Sequence, residues 1–132
     1  MDGRNSDRGA TAAHAVADRY GLEIESTPWY DAIHPETGTK YEVKATSRRL
    51  DDGSTGRFRL WEGQHRSLVA SDAQATAWYA FVRLSQSGDV LDVQRRRPST
   101  VTRLVRERGG WYDAGHEGKD GRQFKLAHDA VF

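Results

Sequence analysis

One short segment, Glu42-Val43-Lys44, sets a carboxylate and an ammonium two positions apart. The run around it, Thr39-Lys40-Tyr41-Glu42-Val43-Lys44-Ala45-Thr46, reads as a strand, because Tyr and Val favour a pleated surface. Strand side chains alternate, so Tyr41, Val43 and Ala45 share one face and Glu42 and Lys44 the other. Two charges side by side on such an element mean either an edge strand's solvated face or a site. A further acid, Asp31, lies upstream. His34-Pro35-Glu36-Thr37-Gly38 stands between them as a turn, with Pro presetting φ and Gly taking the positive-φ position. A hairpin across that turn delivers Asp31 and Glu42 to the same end of one sheet.

The elements that must position these groups can be read from periodicity. Residues 1–8 are polar and read as a flexible tail. Ala13, Val16, Ala17 and Tyr20 recur at helical spacing from Gly9 to Tyr20, with Gly21 as a natural C′ residue. His14 and Asp18 lie one turn apart on its polar side. Leu22–Thr27 and Trp29–Ile33 read as short strands separated by Pro28. After a loop from Arg48, Arg57–Trp61 alternates as a short strand or a lead-in to a helix. Glu62–Ala73 is helical in pattern, with Leu68 and Val69 expected inward and Gln64, His65 and Arg66 near its start.

Ala75–Leu84 is the most hydrophobic run and reads as a central strand. Val90–Gln94 is another strand, followed by Arg95-Arg96-Arg97. Pro98 opens a short helix with Val101, Leu104 and Val105 on one face. Trp111–Arg122 is a Gly-rich loop, and Gln123–Ala127 a last strand. The order α, β, β, β, α, β, β, α, β implies an α/β domain with a central mixed sheet and flanking helices. Residues 1–132 read as one domain.

Charge is uneven along the chain. Residues 1–46 carry five Lys/Arg against eight Asp/Glu, residues 47–94 balance at six and six, and residues 95–132 carry nine against five. An acidic first third and a basic last third suit a protein that binds a metal and a polyanion. Sixteen of the 20 basic residues are Arg, whose fork matches phosphate. No run is apolar enough for a membrane span. The lack of cysteine excludes thiolate metal sites and disulfides, and fits an intracellular, cytoplasmic protein.

An N-terminal helix, an Asp on a second strand, a hairpin turn and Glu-X-Lys on the next strand resemble the PD-(D/E)XK nuclease superfamily. The matching residues are Asp31 and Glu42-Val43-Lys44, with Gln64 and the Trp78–Leu84 strand in the same order. The first helix and Glu42–Thr46 look most like the archaeal and viral Holliday-junction resolvase branch. Two departures stand out. Tyr30, not Pro, precedes Asp31, and His14 stands where many members have a metal-binding Glu.

The resemblance implies a restriction-endonuclease-like core and a Mg²⁺-dependent DNA endonuclease, with Mn²⁺ able to substitute. Asp31, Glu42, the Val43 carbonyl and His14 become the expected metal ligands, and Asp31, Glu42, Lys44 and Gln64 the expected catalytic set. Lys44 would orient the attacking water and offset phosphate charge. Arg48, Arg49, Arg57, Arg59, Arg95, Arg96, Arg97 and Lys125 are the candidate DNA contacts, and Trp61 the candidate stacking residue. Branched DNA is the first substrate expected, with a homodimer to cut two strands symmetrically. A catalytically inactive nucleic-acid-binding module of the same fold is the alternative.

Overall fold

A computed structural model describes residues 3–25, 27–74, 76–113 and 121–132. The chain runs α1 (Gly3–Tyr20), β1 (Glu23–Ile24), β2 (Ala32–Ile33), β3 (Lys40–Ser47), β4 (Arg57–Trp61) and α2 (Glu62–Gln74). It continues β5 (Ala77–Leu84), β6 (Val90–Arg96), α3 (Pro98–Glu107), β7 (Tyr112–Asp113) and β8 (Arg122–Ala127), and ends in a 3₁₀ turn over His128–Ala130. Five strands form a mixed sheet in the order β1-β2-β3-β5-β6, in which only β3 and β5 pair in parallel. A separate antiparallel sheet has the order β4-β8-β7. The expected mixed central sheet with flanking helices is therefore present.

Alternation along β3 and β5 divides the core in two. Tyr41, Val43 and Ala45 of β3 and Ala80, Val82 and Leu84 of β5 meet Ala12 and Val16 of α1 on one face. On the other face, Tyr79 and Phe81 of β5 meet Phe58 and Leu60 of β4, Leu68 of α2, Val101 and Val105 of α3 and Leu126 of β8. Strand β5 is buried on both faces, which is why its sequence is almost continuously apolar. Each fully buried Phe or Leu in such a core contributes about 1.5–3 kcal/mol. Glu42 and Lys44 take the second face, among apolar neighbours and away from α1.

Several boundaries differ from the sequence expectation. Helix α1 begins at Gly3 rather than Gly9. Its early turns are tied to the sheet where Arg8 donates to Ser47 Oγ and to the Gln86 carbonyl, contacts that local polarity does not reveal. Residues 1 and 2 lie outside the described residues. Among the described residues only Glu23–Ile24 and Ala32–Ile33 pair as strands near the Pro28 bend, and Asp31 precedes β2. Thr27 Oγ1 accepts from the Tyr30 N–H at 3.1 Å, turning the chain there. Val69 is 41% exposed rather than inward, since only Leu68 of that pair reaches the core. Tyr112 and Asp113 pair with β8, and residues 114–120 of the expected Gly-rich loop lie outside the described residues.

One glycine decides how the loop after β3 returns to β4. A Cβ on Gly56 would stand 1.6 Å from the Ser47 carbonyl oxygen and 2.9 Å from Thr46 Oγ1. The Gly56 N–H donates to the Arg48 carbonyl at 2.9 Å, and its carbonyl accepts from the His128 N–H at 3.1 Å. A side chain there must displace backbone. Gly56→Ala is expected to lower unfolding stability by about 2 kcal/mol or more. Gly63→Ala, in α2 with open space at its Cβ, is expected to be neutral or stabilising by up to about 1 kcal/mol. Urea denaturation of the two variants checks both; equal midpoints would rule out the close approach.

Candidate active site

Asp31 is held by the strand beside it. Its N–H donates to the Tyr41 carbonyl at 2.8 Å, and its Oδ2 accepts from the Val43 N–H at 2.9 Å. The β2–β3 register, Ala32 opposite Tyr41 and Ile33 opposite Lys40, puts Asp31 across from Glu42. The hairpin thus brings the two acids together, as the turn sequence implied.

Glu42 is only 4% exposed. Its Oε2 lies 3.1 Å from Lys44 Nζ. Lys44 Nζ donates to Gln64 Oε1 at 3.2 Å, and Gln64 Nε2 donates to the Pro28 carbonyl at 2.9 Å. Burial pushes the Glu42 carboxyl up to about 8. Lys44 opposes that rise, while Asp31 adds to it through its charge and a hydrogen bond between the two carboxyls. Two carboxyls in contact behind one ammonium favour a proton or a cation between them.

Helix α2 sets Gln64. Glu62, its first residue, accepts a fork from Arg122 of β8, Nε to Oε1 at 2.9 Å and Nη2 to Oε2 at 2.7 Å. His65 fixes the helix from its inner side. Thr102 Oγ1 donates to the Pro98 carbonyl at 3.1 Å, so it must accept from His65 Nε2–H at 2.7 Å. That assigns the tautomer: His65 Nδ1 accepts from the Tyr79 hydroxyl at 2.8 Å. Burial holds the imidazole down at about 4 and the Tyr79 hydroxyl well above its ordinary value. His65 is therefore a neutral link from α2 to β5 and α3, one residue from Gln64.

Asp31, Glu42, Lys44 and Gln64 converge, then, and Val43 contributes its N–H to Asp31. His14 does not join them. It is exposed on α1, which covers the opposite face of the sheet. Among the described residues no three His, Asp or Glu side chains converge as a metal-binding group.

The arginines divide. Arg48, Arg49, Arg57 and Arg59 are exposed. Arg95, Arg96 and Arg97, expected at DNA, each have protein partners. Arg95 lies between the rings of Tyr20 and Trp78, 4.6 and 4.3 Å from their centroids, and donates to the Tyr41 hydroxyl at 2.6 Å. Arg97 stacks on Trp78 at 4.4 Å and pairs with Asp72 at 3.1 Å. Arg96 donates to the Val131 carbonyl at 2.6 Å.

Sequence reasoning missed the Pro28 carbonyl and the His65–Tyr79 link. A backbone carbonyl carries no side-chain signal, and Tyr79 sits in a run that reads only as core. A cavity of about 660 Å³, between Arg48, Ser85, Gln86 and His128, lies at the far end of β3. Five residues of strand, roughly 16 Å, separate Glu42 from Ser47 at that end. The acid pair is therefore not in that cavity.

A family model described as a PD-(D/E)XK nuclease superfamily domain matches residues 1–132. The chain belongs to the PD-(D/E)XK nuclease superfamily. No curated protein matches the sequence. A PD-(D/E)XK nuclease acts on nucleic acid, and its relatives generally use divalent metals. The resolvase branch is not distinguished by this match. In this PD-(D/E)XK chain, Asp31 and Glu42 bring two carboxyls into contact beside Lys44.

The raised Glu42 carboxyl has a consequence for stability without metal. The folded protein holds a proton there that the unfolded chain has lost between pH 4.5 and about 8. Stability must therefore fall as pH rises through that window. In EDTA, Glu42→Gln is expected to be more stable than wild type at pH 8.5, by about 2 kcal/mol, and little different at pH 5. Urea midpoints at the two pH values check this; a gap that does not widen with pH would remove the buried-acid account.

Proposed function

We propose that this chain is a Mg²⁺-dependent DNA endonuclease whose site is Asp31, Glu42 and Lys44, supported by Gln64. The observation that carries the reading is the contact of half-buried Asp31 with buried Glu42, with Lys44 Nζ 3.1 Å from Glu42. The donor set suits a hard cation: carboxylate oxygens, no sulfur, and an acid that burial leaves short of positive charge. Asp31 and Glu42 would hold the ion, with the Val43 carbonyl as third ligand by family likeness. Mn²⁺ would substitute.

A bound divalent cation supplies charge neutralisation at the phosphate and a more acidic water. The chain's own residues do the rest. Lys44 faces the place where phosphate charge grows, and orients the attacking water. Gln64 fixes that ammonium in advance by linking it to the Pro28 carbonyl, so orientation is set before substrate arrives. Glu42 must lose its proton before it can ligate, so a bound cation and that proton compete, and cleavage rises with pH. Branched DNA remains the first substrate in this reading, cut by two copies of the chain acting on two strands.

One observation favours a second reading, a binding module without catalysis. His14, which stands where relatives carry a Glu, is exposed on the opposite side of the sheet from Glu42. The assay separates the readings. With Mg²⁺ or Mn²⁺, wild type is expected to cut linear, flapped or four-way DNA. Asp31→Ala and Lys44→Ala should lose at least about 100-fold in rate, and Gln64→Ala about tenfold. Cleavage that survives Asp31→Ala would remove the site as drawn. Salt-sensitive binding with no cleavage by wild type would leave the module. Sedimentation of the free and DNA-bound protein tests the pair of copies.

A further inference from the structure

We propose that the cavity at the far end of β3 is a second binding site, which takes the terminal phosphate of a nucleotide unit: the end of a nucleic-acid strand or a free mononucleotide. It lies apart from the acid pair, and its binding test stands apart from cleavage.

The cavity, about 660 Å³, falls within the roughly 300–1,000 Å³ of small-molecule sites. It sits where the parallel strands β3 and β5 both end. Arg48 and Arg49 follow Ser47 on one side, and Ser85 and Gln86 follow Leu84 on the other. His128, in the 3₁₀ turn after β8, forms a further wall and is only 9% exposed. Its backbone N–H donates to the Gly56 carbonyl at 3.1 Å. Arg83 Nη1 lies 3.4 Å from His128 Nδ1. A guanidinium can only donate, so Nδ1 accepts and the ring proton sits on Nε2. Among the described residues no acceptor stands within hydrogen-bond distance of that Nε2–H. The wall therefore carries a fixed imidazole with a donor to spare.

The charge of the lining is positive. Among its described residues, the guanidiniums of Arg48 and Arg49 stand against one carboxylate, exposed Asp129. Neither Asp51 nor Asp52 of the same loop lines the cavity, and Ser54 donates to Asp52 twice, at 2.9 and 2.6 Å. Arg49 gives one N–H to the Gly53 carbonyl at 3.2 Å, and a guanidinium has five. Arg83, behind His128, is already met by Asp92 at 2.5 Å.

Two guanidiniums beside an imidazole N–H suit a phosphate monoester, which carries close to two charges and three strong acceptor oxygens. A phosphate inside a strand carries one charge and has chain leaving on both sides, whereas a cavity admits an end. Leu84 and Leu91 add an apolar side on which a sugar or base can lie, Leu91 being 42% exposed. That side is what separates a nucleotide from phosphate alone. Hydrolysis of a phosphodiester leaves a phosphate on one new end, so a protein that acts on nucleic acid meets such ends.

The test uses the full chain in EDTA at moderate salt. Short oligothymidylates ending in a phosphate or a hydroxyl, at the 5′ or the 3′ side, carry a label at the other end and are read by fluorescence anisotropy. Calorimetry compares thymidine monophosphate, thymidine and inorganic phosphate. A phosphate at one end is expected to tighten strand binding at least about tenfold, and thymidine monophosphate to bind at least about tenfold tighter than either comparison molecule. A mononucleotide that binds as tightly as the phosphorylated strand marks free nucleotide as the ligand; one that binds more weakly marks the strand end. Arg48→Ala with Arg49→Ala, on the exposed loop, should remove the phosphate preference. His128→Phe keeps a ring, loses the Nε2 donor and should lower the preference about threefold or more. If that variant fails to fold by circular dichroism, the arginine pair still decides. Arg103→Ala with Arg106→Ala, the same charge change on α3, should leave the preference unaltered. No preference for phosphate in wild type overturns the site, as does a preference unchanged in the Arg48 and Arg49 variant. Inorganic phosphate binding as tightly as the monophosphate overturns the nucleotide as ligand. Loss of the preference in Lys44→Ala would put the phosphate at the acid pair and overturn the cavity. If wild type prefers phosphate as stated but cuts nothing, the nuclease reading falls and this site stands. If it cuts without such a preference, the reverse holds.

Discussion

The hydrogen bond from the Val43 N–H to Asp31 Oδ2 is the contact on which the site depends. It uses a backbone donor of the strand that carries Glu42 and Lys44, so the acid before β2 is indexed to those two residues. Half-buried Asp31 then stands beside Glu42, whose own carboxyl is buried, where water screens charge poorly. Lys44 offsets part of that charge, and a proton or a divalent cation must offset the remainder.

The second layer exists to hold Lys44's partner. Gln64 lies in the first turn of α2, and two unlike contacts hold that turn. The Glu62–Arg122 fork ties it to β8 across the surface. The neutral His65 ties it to Tyr79 and Thr102 from inside. A neutral imidazole suits this place because both its nitrogens are used, one as donor and one as acceptor, with no charge to bury. The same layer turns the arginines of β4 outward, since Phe58 and Leu60 take the inner positions.

Basic runs are poor guides to binding surfaces, and this chain shows why. Arg95-Arg96-Arg97 is its densest cationic stretch, yet its members stack on Trp78 and Tyr20 and bond to Tyr41, Asp72 and Val131. Their planar cations join α1, β3, β5, α2 and the C-terminal segment. Lys125 lies 66 residues from Arg59 in sequence, and comes opposite it only because β8 pairs with β4. Linear charge density does not specify which neighbours a guanidinium will find; strand pairing does.

The sequence by itself determined the parts whose physics is local. Alternation put Glu42 and Lys44 on one face, the Pro35 and Gly38 turn made the hairpin that delivers Asp31, and the apolar length of Ala77–Leu84 marked a strand buried on both sides. The superfamily was legible from the same residues, because its signature is a spacing along two adjacent strands. Tertiary structure alone decided the rest. It extended α1 through Arg8, separated β4 and β8 into their own sheet, and left His14 on the far side of the central sheet from Glu42. It also closed the Gln64 link through a backbone carbonyl. These are pairings between residues far apart in the chain, set by which apolar faces must cover one another, and no local period encodes them.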